Sequence, residues 1–318
     1  MTSGHPPTIS RREFLTAASA GACVAGLMPE CLFAEDIGIV NHIRDEAAKA
    51  DITVEKLRGN VAVLTGSGGN IAVLPGRDGK LLIDAGITAT RRKIRVALAG
   101  ISNDSVKQLV NTHWHFDHTD GNEWLHSEGA TIIAHENTRK HLLTATRVED
   151  WDFTFPAAPG GAVPTILFKD EHVIHVNGTA VALKYYAPAH TDCDISVRLA
   201  ESDVIHVGDT WWNGYFPFID YSTGGSIGGM IRATETNLAQ VTGKTLIIPG
   251  HGPVGDRVQL TEFYDMLVTI HDRVAALKKQ GRSQSETVAA KPAAAYSAKW
   301  GGFAIDSDFF TRLVYRGV

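Results

Sequence analysis

The stretch His113-Trp114-His115-Phe116-Asp117-His118 decides how the rest of the chain is read. It follows Val106 to Val110, a short run with β-branched ends that reads as a strand. Residues two apart in extended chain point the same way, so His113 and His115 face one ion together. Asp117 and His118, just beyond, turn toward a second. Imidazole with carboxylate suits zinc, and ligand sets that leave a position open to water belong to catalysis rather than to structure. The plainer reading is a run of surface or core histidines. With 14 histidines in 318 residues, chance produces this pattern in on the order of one chain in a thousand.

On the N-terminal side, a helix is predicted over Val40 to Ala50. Ile52 to Ile87 then alternates short Val/Ile/Leu runs with turns at Arg58-Gly59-Asn60, Gly66-Ser67-Gly68-Gly69-Asn70 and Gly76-Arg77-Asp78-Gly79. That is the pattern of an antiparallel meander. Thr90 to Ile101 reads as a helix, and Glu123 to Glu128 and Glu136 to Leu143 as helical pieces around a strand at Thr131 to Ala134. A second meander is predicted over Thr165 to Val207, with Asn177-Gly178 as its hairpin turn. Ile227 to Val241 reads as a helix and Thr245 to Ile248 as a strand. Leu260, Phe263, Leu267, Ile270, Val274 and Leu277 recur at spacings of three and four, which marks an amphipathic helix with one buried stripe. Two half-chains, each of strands followed by helices, predict one α+β domain of two packed sheets with helices outside.

Composition narrows the classes of function. At 44% hydrophobic and 20% charged, the chain is no disordered protein, and 3 cysteines do not make a disulfide-stapled fold. A net charge of −5, with no long basic run, argues against a nucleic-acid partner. Arg11-Arg12-Glu13-Phe14-Leu15 opens a stretch that is uncharged from Phe14 through Pro29. It is rich in Ala and Gly and shorter than the roughly 20 apolar residues of a membrane span. A basic pair before a short apolar run reads as a secretory signal, and the paired arginines resemble the twin-arginine export signal. The expectation is a signal over 1–34, cleaved near Ala34, and a mature domain over 35–318 with no stable membrane anchor. The twin-arginine export machinery is then a partner, and the periplasm the destination.

The hexapeptide resembles H-x-H-x-D-H, the hallmark of the metallo-β-lactamase superfamily. Further landmarks appear in the family's order: Ala187-Pro188-Ala189-His190-Thr191-Asp192, Val207-Gly208-Asp209-Thr210 and Pro249-Gly250-His251-Gly252-Pro253. The resemblance implies an αββα sandwich of two mixed sheets with helices on both outer faces. It implies two divalent metal ions, zinc, with His113, His115 and His190 on the first and Asp117, His118 and His251 on the second. Asp209 bridges them, and Asp117 passes a proton to the leaving group. Such an ion pair, about 3.5–4 Å apart, lowers the pKa of a shared water and polarises the substrate carbonyl.

Within the superfamily, His115 stands where flavin–diiron oxygen reductases carry Glu, and the chain has no room for the extra domain of the nucleases. Glutathione-thioester hydrolases resemble it in all seven ligands, yet no basic cluster suited to glutathione's carboxylates is visible. Many β-lactamases have Cys at the Asp209 position and Lys three residues on, where this chain has Trp212. The expected function is hydrolysis of an ester, lactone, thioester or cyclic amide in a small molecule. A β-lactamase and a non-catalytic metal-binding periplasmic accessory protein are the alternatives. Trp211, Trp212, Tyr215 and Phe216, with Trp151 from the Gly/Pro-rich stretch 147–164, are candidates to wall a pocket for an apolar or aromatic substrate. Loop packing is the competing account of these aromatics. Cys193 reads as a small buried residue, and Asp120 as a candidate partner of a ligand histidine.

Overall fold

The computed structural model describes residues 38–318. The signal read over 1–34 lies outside the described residues.

Helix α1 (Gly38–Lys49) leads into strands β1 (Thr53–Lys56), β2 (Ala62–Thr65), β3 (Ile71–Leu74) and β4 (Lys80–Ile83). Helix α2 (Arg91–Ile101) connects to β5 (Val106–Val110). Two short helices, α3 (Phe116–Thr119) and α4 (Asn122–Ser127), precede β6 (Thr131–His135). After α5 (Glu136–Leu143) come a small hairpin, β7 (Thr146–Val148) and β8 (Phe153–Phe155), and then β9 (Ile166–Phe168). The second half runs β10 (Glu171–Val176), β11 (Thr179–Tyr185), β12 (Ile195–Leu199), β13 (Val204–His206), α6 (Ile227–Gln240) and β14 (Leu246–Ile248). It closes with α7 (Arg257–Lys279), α8 (Gln284–Ala289), α9 (Ser297–Trp300) and α10 (Ser307–Gly317).

The strands form two mixed sheets, in the order β1-β2-β3-β4-β5-β6-β9 and β10-β11-β12-β13-β14. In the first, β1 to β4 are antiparallel, while β4-β5, β5-β6 and β6-β9 are parallel. In the second, only β13-β14 is parallel. Alternation along each strand sets the layers. Ala72, Leu74, Leu81 and Ile83 face inward and pack with Val181, Leu183, Val197 and Leu199 of the opposing sheet. Ile71, Val73 and Leu82 face outward, against Ile94 and Leu98 of α2 and Trp124 and Leu125 of α4. On the far side, Ile205 and Ile247 meet Met230 of α6, Phe263 and Leu267 of α7 and Leu313 of α10. Each such side chain contributes roughly 1.5–3 kcal/mol on burial. The αββα sandwich expected from the sequence is the fold observed.

Two segments differ from the sequence reading. Ile166–Phe168 does not begin the second meander; it pairs parallel to β6 at the edge of the first sheet. Its residues Ile166 and Leu167 are exposed, so no alternation distinguished it from the strand that follows. Residues 284–317, unassigned from sequence, supply three helices, of which α10 packs against α7 through Phe310, Leu313 and Val314. The predicted amphipathic helix is longer than its stripe because Asp256 caps it. The Asp256 carboxylate accepts from Val258 N and Gln259 N, and the Gln259 side chain accepts from Asp256 N.

Candidate metal centre

Strand ends gather the polar residues. Asp84 follows β4, His113 follows β5, Asp209 follows β13 and His251 follows β14. These are the carboxyl ends of the parallel pairs, the usual place for a ligand site in such sheets. His190 arrives from the loop between β11 and β12. His113, His115, His190 and Asp209 bring one donor atom each within 4.8 Å of one another, and Asp117, His118 and His251 do the same beside them. Asp209 reaches both groups: its Oδ2 lies 3.4 Å from His190 Nε2 and its Oδ1 lies 3.1 Å from His118 Nε2.

Neighbours outside the cluster fix which ring nitrogen of each histidine holds a proton, and the result tests whether cations fit. His115 Nε2–H donates to Asp220 at 3.0 Å, which leaves the Nδ1 lone pair facing inward. His190 Nδ1–H donates to the Phe218 carbonyl at 2.8 Å, which leaves its Nε2 lone pair inward. Those two lone pairs then confront each other across 2.9 Å. His118 Nδ1–H donates to Asp84 at 2.8 Å. The Thr112 hydroxyl also donates to Asp84, so its oxygen accepts from His113 Nδ1–H. The inward Nε2 atom of His113 is buried with no hydrogen-bond partner, and that of His118 faces Asp209 Oδ1. Three imidazole lone pairs, from His113, His115 and His190, and two carboxylates converge in a dry pocket beside His118 and His251, an arrangement that suits divalent cations of the borderline-soft kind.

Charge follows the same division. Burial holds His113 well below the usual imidazole range and His190 down at about 4, so both are neutral donors. Burial pulls the same way on His118 and His251, but Asp209 and Asp117 overcome it. They hold His118 well above its usual value and His251 at about 9. Burial would raise the carboxyls, yet His251 and His118 keep Asp209 well below the carboxylate range, and His118 and His251 keep Asp117 below it. The carboxylates Asp117 and Asp209 therefore hold positive charge on His118 and His251, a place that a metal cation can take over.

Backbone comes unusually close to these groups. A Cβ on Gly250 would lie 1.9 Å from Asp209 Oδ1, and one on Gly69 would lie 2.2 Å from the His118 ring. The turn at 66–70, read from sequence only as a meander turn, thus presses on the site. Its Asn70 side chain donates to the carbonyls of Pro249 and Gly252 at 2.9 and 2.8 Å and anchors the His251 loop. Gly250→Ala is expected to displace the Asp209 carboxylate and lower metal content per chain, with little loss of helical circular dichroism. Unchanged metal stoichiometry would refute that close approach.

An apolar pocket opens beside the donors, lined by Ile39, Ile43, Trp151, Trp212, Phe218 and Phe303 to Ile305, with His115, Asp117, His190, Asp209 and His251 at its floor. Of the candidate wall residues, Trp212 and Trp151 are in place. Trp212 packs on the His251 ring at 4.2 Å, and Trp151 stacks on Phe218 at 4.6 Å. Trp211 is fully buried on the opposite side of the chain from its neighbour Trp212, and Phe216, beyond the turn at 213–215, is buried in the core, stacking on Phe310. Tyr215 packs against Phe303 without lining the pocket. Asp120 does not meet a ligand histidine; it accepts from Thr88 N, and Asp84 and Asp220 hold the histidines. Cys193 is buried beside Thr191. His206 bonds the Asn70 carbonyl, His135 Nδ1 accepts from Asn137 N, and His141 bonds Asp192.

Comparison with known proteins agrees with this geometry. Residues 64–251, more than half of the chain, match the family model described as the metallo-beta-lactamase superfamily. A hydroxyacylglutathione hydrolase from Polaromonas sp. is 26% identical over 168 residues, 52% of this chain and 56% of that protein. The chain thus matches little more than half the length of this curated relative. A stereoselective inverting sec-alkylsulfatase from Pseudomonas sp. superposes with a TM-score of 0.60 at 14% identity, over 87% of this chain and 52% of the sulfatase. The DIM-1 metallo-β-lactamase superposes with a TM-score of 0.55 at 22% identity, over 69% of this chain and 98% of the lactamase. These likenesses are of fold. The match of sequence to family model and the two His/Asp groups at the strand ends together place the chain in the metallo-β-lactamase superfamily.

Proposed function

We propose that the chain is a dinuclear zinc hydrolase that cleaves an ester, lactone, thioester or cyclic amide bond in an apolar or aromatic small molecule. The observation that carries this reading is the inward convergence of lone pairs from His113, His115 and His190, with the rings of His118 and His251, onto Asp209 and Asp117 at the floor of an apolar pocket. In it, His113, His115 and His190 hold one cation, Asp117, His118 and His251 the other, and Asp209 both. The cations supply a Lewis acid and a water of lowered pKa. Asp117 lines the pocket floor with its Oδ2 3.3 Å from His251 Nε2, where it holds and passes the proton that the leaving group takes up. Trp212 covers His251 and keeps bulk water from its ring. Trp212 also stands where a lysine would hold a β-lactam carboxylate, which favours neutral substrates over drugs of that class.

Export to the periplasm by the twin-arginine route belongs to the same proposal and rests on the stretch 11–29 alone. No described helix is long and apolar enough to cross a membrane.

The test uses purified protein and a panel of neutral esters, lactones, thioesters and β-lactams. Chelation is expected to abolish hydrolysis and added zinc to restore it, with two ions per chain by elemental analysis. Asp117→Ala is expected to lower turnover by about 10²–10⁴-fold, the range of a positioned acid–base group. Full turnover in chelator, or in Asp117→Ala, overturns the assignment.

A further inference from the structure

The pocket has an outer wall that comes from the N-terminal segment. Ile39 and Ile43, one helical turn apart on α1, line it opposite the metal-centre histidines. Helix α1 is fixed there by separate contacts. Val40 and Ala47 are buried, and the Arg44 guanidinium lies over Phe116 and Phe153 at 5.2 and 5.7 Å. Lys93 donates to the carbonyls of Ala48 and Lys49 at the helix C-terminus, at 3.1 and 3.2 Å. The remaining walls are Trp151 on Phe218 and the segment Phe303 to Ile305, with Phe303 6.0 Å from Trp212. Among the described residues that line the pocket, none is Lys or Arg. The only charges there are those of the donor set. An anionic substituent lying along these walls, out of reach of the donor set, would leave water for apolar surface with no wall cation to receive it, which is costly.

We infer that α1 and the Phe303 to Ile305 segment form a selectivity subsite for an uncharged alkyl or aryl substituent of the substrate, with Ile39 and Ile43 setting the size accepted. The inference deepens the hydrolase reading above and rests on it for the word substrate; the apolar subsite itself rests on the geometry of the walls. Helix α1 thereby acts in specificity, although it carries no donor atom and lies some 70 residues ahead of the histidine motif.

The experiment has two arms, both on the full mature chain with its metals. In the first, kcat/KM is measured for neutral esters or lactones of increasing alkyl length and for equally long analogues ending in a carboxylate. Native protein is expected to gain about threefold to fourfold per buried methylene until the pocket is full. Ile43→Trp and Ile39→Trp are expected to remove that gain, lowering kcat/KM for long substrates by tenfold or more relative to the shortest. In the second arm, quenching of Trp fluorescence reports binding of 2-naphthol and of 2-naphthoate, neither of which is hydrolysed. Naphthol is expected to bind and Ile43→Trp to weaken it at least tenfold at unchanged metal content, with naphthoate, whose carboxylate can reach the cations, less affected. Ile43→Ala keeps the subsite testable should the tryptophan variant fail to fold, and is expected to shift the preferred length upward. If naphthol binds as expected and no ester or lactone is cleaved, the hydrolase reading falls and the subsite stands. Equal kcat/KM for the neutral and the carboxylate-ended series, or indifference to Ile43, overturns the subsite.

Discussion

Replacing Asp209 by alanine is expected to remove one ion per chain and to lower hydrolysis by about 10²–10³-fold, the equivalent of roughly 3–4 kcal/mol in activation free energy. The reason lies in its reach. Asp209 is 2% exposed, and its two oxygens lie within 3.4 Å of nitrogens from His190, His251 and His118. No other carboxylate among the described residues touches both donor groups. Its removal also takes away the main counter-charge to His118 and His251, so the metal-free variant should hold fewer protons at neutral pH. Elemental analysis separates loss of one ion from loss of both. Asp209→Asn, nearly equal in volume, separates lost charge from lost packing and is expected to behave like the alanine variant. Two ions per chain in either variant would sink the bridging role.

The second large effect is expected at Asp220, a residue with no motif around it. Its Oδ2 accepts from His115 Nε2 at 3.0 Å and from the Thr223 hydroxyl at 2.6 Å, while Oδ1 accepts from Ser222 N at 2.9 Å. Burial alone would raise the Asp220 carboxyl, but the His115 hydrogen bond keeps it low, so it is a charged acceptor. Asp220→Asn keeps the shape and the turn. Its amide, if presented to His115, donates where the carboxylate accepted, and so drives the imidazole proton to Nδ1, the atom that faces the first cation. Removing a carboxylate behind a ligand histidine costs about 10–100-fold in metal affinity. The loss should fall on the ion at His113, His115 and His190 and spare the other. Cobalt substitution followed by optical titration reads the two sites separately, and nitrogen-15 chemical shifts of His115 report the tautomer directly. Equal weakening of both ions, or an unchanged tautomer, would show that Asp220 only supports its turn.

The ligand candidates could be read from sequence because strand-end spacing brings His113, His115, Asp117 and His118 together within six residues. His190, Asp209 and His251 are single residues in loops, and only the order of their flanking segments raised them above ordinary buried polar groups. Asp84 and Asp220 had no such order. Asp84 adopts a left-handed backbone at φ 67° just past β4, and its value to His118 appears only once two strands lie side by side. The aromatic run 211–218 was legible as aromatic but not as oriented, since which side of an extended segment meets the pocket depends on the His251 loop beside it. Phe303 to Ile305 and α1 reach the site only through long-range packing, so no local pattern marked them. The sandwich itself was legible because both faces of its central strands are buried, which gives continuous apolar runs between Gly-rich turns.

The donors come from both halves of the chain: four from the loop after β5 in the first sheet, three from loops of the second. Cys193 is the one cysteine among the described residues, and it is unpaired. Cations held between the sheets would therefore be cross-links, tying positions 113 and 251 in a closed loop and removing open conformations from the unfolded chain. In this protein the clasp between the two halves would be opened by a chelator and not by a reductant.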